Sequence, residues 1–203
     1  MIGSNGCRWP AAAGFGLAAI FISGCTQPAP NTSGGDVQRL LLSQAPAGYR
    51  LRVDTSLPLD KVAAATPADP AASTAQLRSD GFLGGWSRVW TSGDDDVEVV
   101  AMELGDQFRA ADFVRFQLGQ LAQGAGVVTY AAGGIPGATA FSLSGNTRAR
   151  RRQVFCQGVW LTVGQYAFEI TDCAGAPRYP DLALKTARQQ YHVAANALGV
   201  NGP

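Results

Sequence analysis

Residues 86–104, WSRVWTSGDDDVEVVAMEL, decide the fold. Residues 86–91 alternate in character, with Trp86, Arg88 and Trp90 set against Ser87, Val89 and Thr91. That period of two is a strand pattern. Residues 92–96 (SGDDD) are turn formers, and residues 97–104 (VEVVAMEL) return as a second strand. Two such runs joined by a short Gly/Asp segment make an antiparallel hairpin.

Towards the C-terminus, residues 106–123 read as a helix. At 100° per residue, Phe108, Ala111, Val114, Leu118, Leu121 and Ala122 share one face. Phe113 and Phe116 fall on the other side, beside Arg109 and Gln120. They either line a groove or lie under the Pro-rich segment before residue 70, and cover by that segment is the expectation. Residues 133–137 (GGIPG) form a loop. Strands are expected over 138–143, 150–156, 159–163 and 166–171, with turns at 145–148 and 157–158. Residues 181–198 form the last helix, whose wide apolar arc takes in Leu182, Leu184, Ala187, Tyr191, Ala194 and Leu198. Such an arc lies flat on a sheet.

Towards the N-terminus, residues 71–80 read as a helix stopped by Gly81. Before them a Pro- and Ala-rich stretch runs to Pro70, and Asp36 caps a short helix over 37–43. The order gives an α+β class: an antiparallel β-sheet with helices packed on its face or faces. Its two halves each end in strands followed by a helix, which allows a weak internal duplication of a strand-strand-helix unit.

The first 25 residues have the layout of an export signal. Arg8 precedes an uncharged apolar stretch over residues 10–22 (PAAAGFGLAAIFI). As a helix it would span about 20 Å, short of the ~30 Å hydrocarbon core. The sequence Ile22-Ser23-Gly24-Cys25 follows at once. It resembles the lipobox of bacterial lipoproteins, in which the Cys is acylated and becomes the new N-terminus. Residues 1–24 are then a cleaved signal peptide, 25–35 the lipidated Cys25 with a Pro/Gly/Ser/Thr tether, and 36–203 one globular domain. Two or more acyl chains hold a protein firmly on a bilayer. The expected location is the extracytoplasmic face of the cell membrane.

Four cysteines then have a simple account. Cys7 leaves with the signal and Cys25 carries lipid, so Cys156 and Cys173 pair as a disulfide in an oxidising compartment. A loop of that size is worth roughly 3 kcal/mol on the chain-entropy model. The whole chain has 16 basic and 15 acidic residues, and loss of Arg8 balances them. A nucleic-acid partner, which needs a basic surplus, is not expected.

Catalytic signatures are sparse. His192 is the only histidine and sits among Lys185, Arg188 and Asn196 on the polar side of the last helix. No G-x-S-x-G, S-x-x-K or H-E-x-x-H occurs beyond the signal. Asp94, Asp95 and Asp96 lack the spacing of a calcium loop and read as a solvated turn. Glu98 and Glu103 are an odd number of residues apart, hence on opposite faces of their strand. Arg148, Arg150, Arg151 and Arg152 form the basic cluster. They either contact anionic headgroups or keep a strand edge soluble, and the second is the expectation. No catalytic residue, metal set or cofactor is assigned.

Residues 81–91 (GFLGGWSRVWT), with the hairpin and helix behind them, the lipobox and the tether, resemble envelope lipoproteins of actinobacteria of mycobacterial type. Some lipoproteins of this sort carry PsbP-like α/β/α sandwich domains. The resemblance implies a cell-envelope location. The expected function is non-enzymatic binding of an envelope protein or a small apolar ligand. The alternative is a cell-envelope hydrolase whose carboxylates the sequence does not place.

Overall fold

The hairpin at 86–104 extends at both ends. In a computed structural model, which describes residues 34–65, 69–124, 126–147, 152–176 and 181–200, β2 runs Gly84–Ser92 and β3 runs Asp95–Glu103. Gly93 takes a φ of 64° in the turn between them, a conformation that costs glycine little. Asp96 therefore belongs to the strand, paired with Thr91, and not to the turn.

Five further strands complete an antiparallel sheet: β1 (Arg50–Leu57), β4 (Val128–Ala131), β5 (Thr139–Thr147), β6 (Arg152–Val163) and β7 (Tyr166–Ala174). The order across the sheet is β1-β2-β3-β7-β6-β5-β4. The helices are α1 (Gly34–Arg39), α2 (Leu59–Ala65), α3 (Pro70–Ser79), α4 (Gln107–Leu121) and α5 (Asp181–Ala197). The α+β class is as expected, with helices on both faces.

Two clusters fill the two sides. One joins α1 and α5 to the sheet through Val37, Leu40, Trp90, Val97, Val99, Phe168, Ile170, Ala187, Tyr191 and Ala194. The other joins α2, α3 and α4 through Val62, Leu77, Met102, Phe113, Leu121, Phe141 and Trp160. Each fully buried side chain of this size contributes about 1.5–3 kcal/mol.

Several expectations are corrected. The stretch before Pro70 holds β1 and α2. β4 was not expected, and β5 runs on through Gly145. β6 is unbroken where a turn was expected at 157–158. A Cβ on Gly158 would lie 2.3 Å from Cζ of Phe141 and 2.8 Å from the carbonyl of Ile170. Gly158 marks a close approach inside a strand, not a turn. In α4 the sheet-facing stripe is Ala110, Phe113, Val114, Gln117 and Leu121, while Phe108 is 71% exposed.

The duplication does not extend to the helices. β3 and β7 pair antiparallel at the sheet centre, so a rotation exchanging them would stand perpendicular to the sheet and keep both following helices on one face. Instead α4 and α5 lie on opposite faces.

Candidate functional site

The face under α1 and α5 is shut. α1 stands over β2 and β3, and α5 over β6 and β7. The polar groups that hold α1 there are paired, while one buried oxygen each of Gln157 and Asp172 on this face is unmet. Arg88 donates from Nη2 to Oδ2 of Asp54 at 3.0 Å and from Nη1 to the Leu42 carbonyl at 2.5 Å. Trp86 Nε1 also donates to Asp54. Burial works against the Asp54 charge, but the hydrogen bonds from Arg88 and Trp86 hold its carboxyl below the usual aspartate value. Gln190 of α5 accepts from the Leu42 N–H at 3.0 Å and donates to the Leu40 carbonyl at 2.5 Å. Together they clamp the end of α1 to the sheet.

The opposite face is built differently. α2 stands over β1 and β2, and α4 over β6 and β7. α2 seats against Gly85, where an added Cβ would meet Val62 at 3.1 Å. β3 runs between these two supports. Strand register sets out the floor of the resulting groove in cross-strand rows. One row is Thr55, Ser87, Val100, Glu169 and Trp160. The next is Val53, Val89, Glu98, Thr171 and Gly158. A third brings Thr91, Asp96, Cys173 and Cys156 together. Val53, Thr55, Val89, Thr91, Asp96 and Glu98 are all half-buried, whereas Trp90, Val97 and Val99 on the reverse are shut.

Glu98 and Glu169 are diagonal neighbours on this floor, about 7–8 Å apart at the backbone by sheet geometry. Ser87 Oγ donates to Glu98 Oε1 at 2.7 Å. Burial pushes the Glu98 carboxyl up. Burial, and then the charge of Glu98, push Glu169 well above the usual value. Asp96 rises from 3.8 to about 7, first by burial and then by the charges of Glu98, Asp172 and Asp95, against the pull of Arg52. Glu98 is thus partly accessible and yet desolvated, as a recessed group is.

The wall on the α4 side carries unmet polar groups. Phe113 meets Trp160 edge-on with ring centroids 6.0 Å apart. Gln117 follows one turn later on the same stripe. It is fully buried, and neither Oε1 nor Nε2 has a hydrogen-bond partner in the protein. The same holds for Nε1 of Trp160 and Oε1 of Glu169. Buried polar atoms without partners are costly, and four of them, on three residues, lie on this face.

The residues expected to matter fall as follows. Cys156 and Cys173 are bonded, with an S–S distance of 2.10 Å, and lie on the floor of the groove. Phe113 is buried against the sheet and Phe116 is half-buried. Phe113 is covered chiefly by Trp160, with α2 and α3 contributing to the same cluster. His192 is exposed, edge-on to Tyr191. Glu103 faces away from Glu98 and accepts from Gln165 at 2.7 Å. Cys25, Arg148, Arg150 and Arg151 lie outside the described residues, and Arg152 opens β6 opposite Thr147. Glu169, Gln117 and Trp160 carried no motif in the sequence; strand register brings Glu169 and Trp160 to the rows beside Glu98, and Gln117 comes from α4. Among the described residues no group of three or more His, Cys, Asp or Glu could hold a metal ion, and no helix is long and apolar enough to cross a membrane.

The architecture is that of an antiparallel sheet covered by helices on both faces. The chain is similar in fold to the extracellular domain of PknH from Mycobacterium tuberculosis. The TM-score is 0.56 over 85% of this chain and 98% of that one, at 13% identity. At that identity the likeness is one of fold. No family model matches the chain, and no curated protein matches it.

Proposed function

We propose that this chain is a lipid-anchored envelope protein whose domain binds a small ligand in the groove over β3 and does not turn it over. The observation that carries the reading is the groove itself: a half-open floor around Glu98 beside buried polar groups of Gln117, Glu169 and Trp160 that the protein leaves unpaired. A bound molecule would satisfy them. The polar lining turns the expected apolar ligand into a polar one. Cys25 supplies the anchor, and residues 26–35 hold the domain clear of the headgroups.

Two measurements test this. In the native host, Cys25→Ala moves the protein out of the membrane fraction; retention there would sink the anchor. Native mass spectrometry of the protein purified from its envelope shows a bound small molecule, which Gln117→Leu loses. Identical spectra for both proteins would remove the groove from the account.

One observation favours a second reading. Glu98 and Glu169 are two carboxyls on neighbouring strands, as an envelope hydrolase needs. Such an enzyme requires one ionised and one protonated group, whereas here both carboxyls are pushed upward together. Cleavage of envelope glycan by the wild type and not by Glu98→Gln would reverse the preference.

A further inference from the structure

We propose that the groove takes an organic cation, seating a primary ammonium group between the carboxyls of Glu98 and Glu169 and within reach of Gln117. The inference rests on the groove being a binding site and names what it binds.

The donor and acceptor inventory points that way. On the floor are the carboxyls of Glu98, Glu169 and Asp96, and Oε1 of Gln117 is a further acceptor buried on α4. The buried donors are Nε2 of Gln117 and Nε1 of Trp160, and the Ser87 hydroxyl is already spent on Glu98. Acceptors are in surplus. An ammonium brings three donors and no acceptor. The charge balance agrees. The charge of Glu98 acts on Glu169, and those of Glu98, Asp172 and Asp95 act on Asp96, against the pull of Arg52 on β1. An anion seated there would meet the repulsion of Glu98 and Glu169. A neutral polyol could serve Gln117 but would leave the two carboxyls without an opposite charge.

Proton balance follows. Empty, the site makes its carboxyls hold protons more strongly than free ones, because burial and mutual repulsion oppose ionisation. A cation reverses that term, so the carboxyls give their protons to solvent as the ammonium enters. Each proton displaced weakens the apparent affinity about tenfold per pH unit below the relevant pKa. Trp160, on the strand beside Glu169, supplies a buried N–H for the carboxylate so formed.

The test is a titration of the ¹⁵N-labelled full protein, following the Trp160 indole N–H and the Gln117 side-chain amide. The probes are n-butylammonium, its uncharged counterpart 1-butanol, and glucose. The expected result is saturation by n-butylammonium, with a Kd in the millimolar range usual for fragments, roughly 1–10 mM. Affinity falls about tenfold or more from pH 8 to pH 5. Glu98→Gln and Glu169→Gln, each checked for folding by near-UV circular dichroism, both lose the response. Equal saturation by 1-butanol, or amine binding indifferent to both substitutions, overturns the proposal. Saturation by glucose alone, without pH dependence, overturns the cation and leaves the groove as a binding site. No response of these two groups to any probe overturns both readings.

Discussion

Each side of the sheet buries one helical glutamine completely, and the protein treats the two in opposite ways. Gln190, under α5, spends both ends of its amide on the backbone of residues 40 and 42. Gln117, under α4, spends neither. The surroundings match. Around Gln190 the charged pair Arg88–Asp54 is closed by hydrogen bonds and the apolar rows are shut. Around Gln117 the carboxyls of Glu98 and Glu169 are desolvated and the charge of Glu98 acts on Glu169, and the sheet stays half-open over β3. The clamp on α1 is finished as structure, whereas Gln117, Trp160 and Glu169 hold polar atoms in reserve. A folded protein accepts such a cost where function needs it.

The contrast can be broken by core truncation, where the effects are largest. Phe168→Ala, on the shut side, is expected to cost about 3–5 kcal/mol. Val89→Ala, on the half-open floor, is expected to cost under about 1.5 kcal/mol, because its side chain is only partly buried. Urea unfolding would measure both, and equal losses would mean that the two sides are packed alike. Gln190→Leu comes next. It orphans the Leu42 N–H and the Leu40 carbonyl, for a loss of about 2 kcal/mol. A neutral result would show that α1 is held without this clamp.

Titration sharpens the contrast from the other side. Glu98, Glu169 and Asp96 all have folded pKa values raised above their unfolded ones. Between those values the folded state holds more protons, so stability is full below the ordinary carboxylate range and falls as pH rises through the folded pKa. For Asp96 the window runs from about 3.8 to about 7. The slope is at most about 1.4 kcal/mol per pH unit for each titrating group. Unfolding free energies should therefore be lower at pH 8 than at pH 5. The difference should shrink when Asp96→Asn, Glu98→Gln and Glu169→Gln are combined. Asp54 works in the opposite sense, its lowered value giving stability that is lost in acid. Its window lies below about 3.8, so it does not enter the comparison, and a protein more stable at pH 8 than at pH 5 would overturn the raised carboxyls.

Much of the frame was legible in the sequence, and little of the groove was. The hairpin and the last helix have clean periods, and the cysteine pair follows from the count. β1 was missed because Arg50, Arg52 and Asp54 interrupt its apolar positions, as an exposed edge strand permits. β6 was split because a glycine that makes room for Phe141 looks, in one dimension, like a turn. α4 was rotated in the sequence reading because exposed Phe108 was counted on the apolar face and buried Phe113 on the other. The groove depends on register: Glu98 and Glu169 are far apart in sequence and meet only because β3 pairs with β7. A single sequence carries periodicity, but it does not carry pairing.

The smallest predicted effect is the one that bears most directly on the contrast. Gln117→Leu replaces an unpaired buried amide by an apolar side chain of similar size, next to Phe113 and Trp160. Removing both unsatisfied atoms lifts a desolvation penalty without orphaning any partner, so the variant should gain up to about 1 kcal/mol. Thermal or urea unfolding would read it against Gln190→Leu, the same exchange on the other side with the opposite sign. The two effects should add, since the sites share no partner. A loss of stability in Gln117→Leu would show that the amide is satisfied in solution, and the groove would become ordinary structure. A gain accompanied by lost ligand binding would show that the unpaired amide is retained at the expense of stability, as functional sites commonly are.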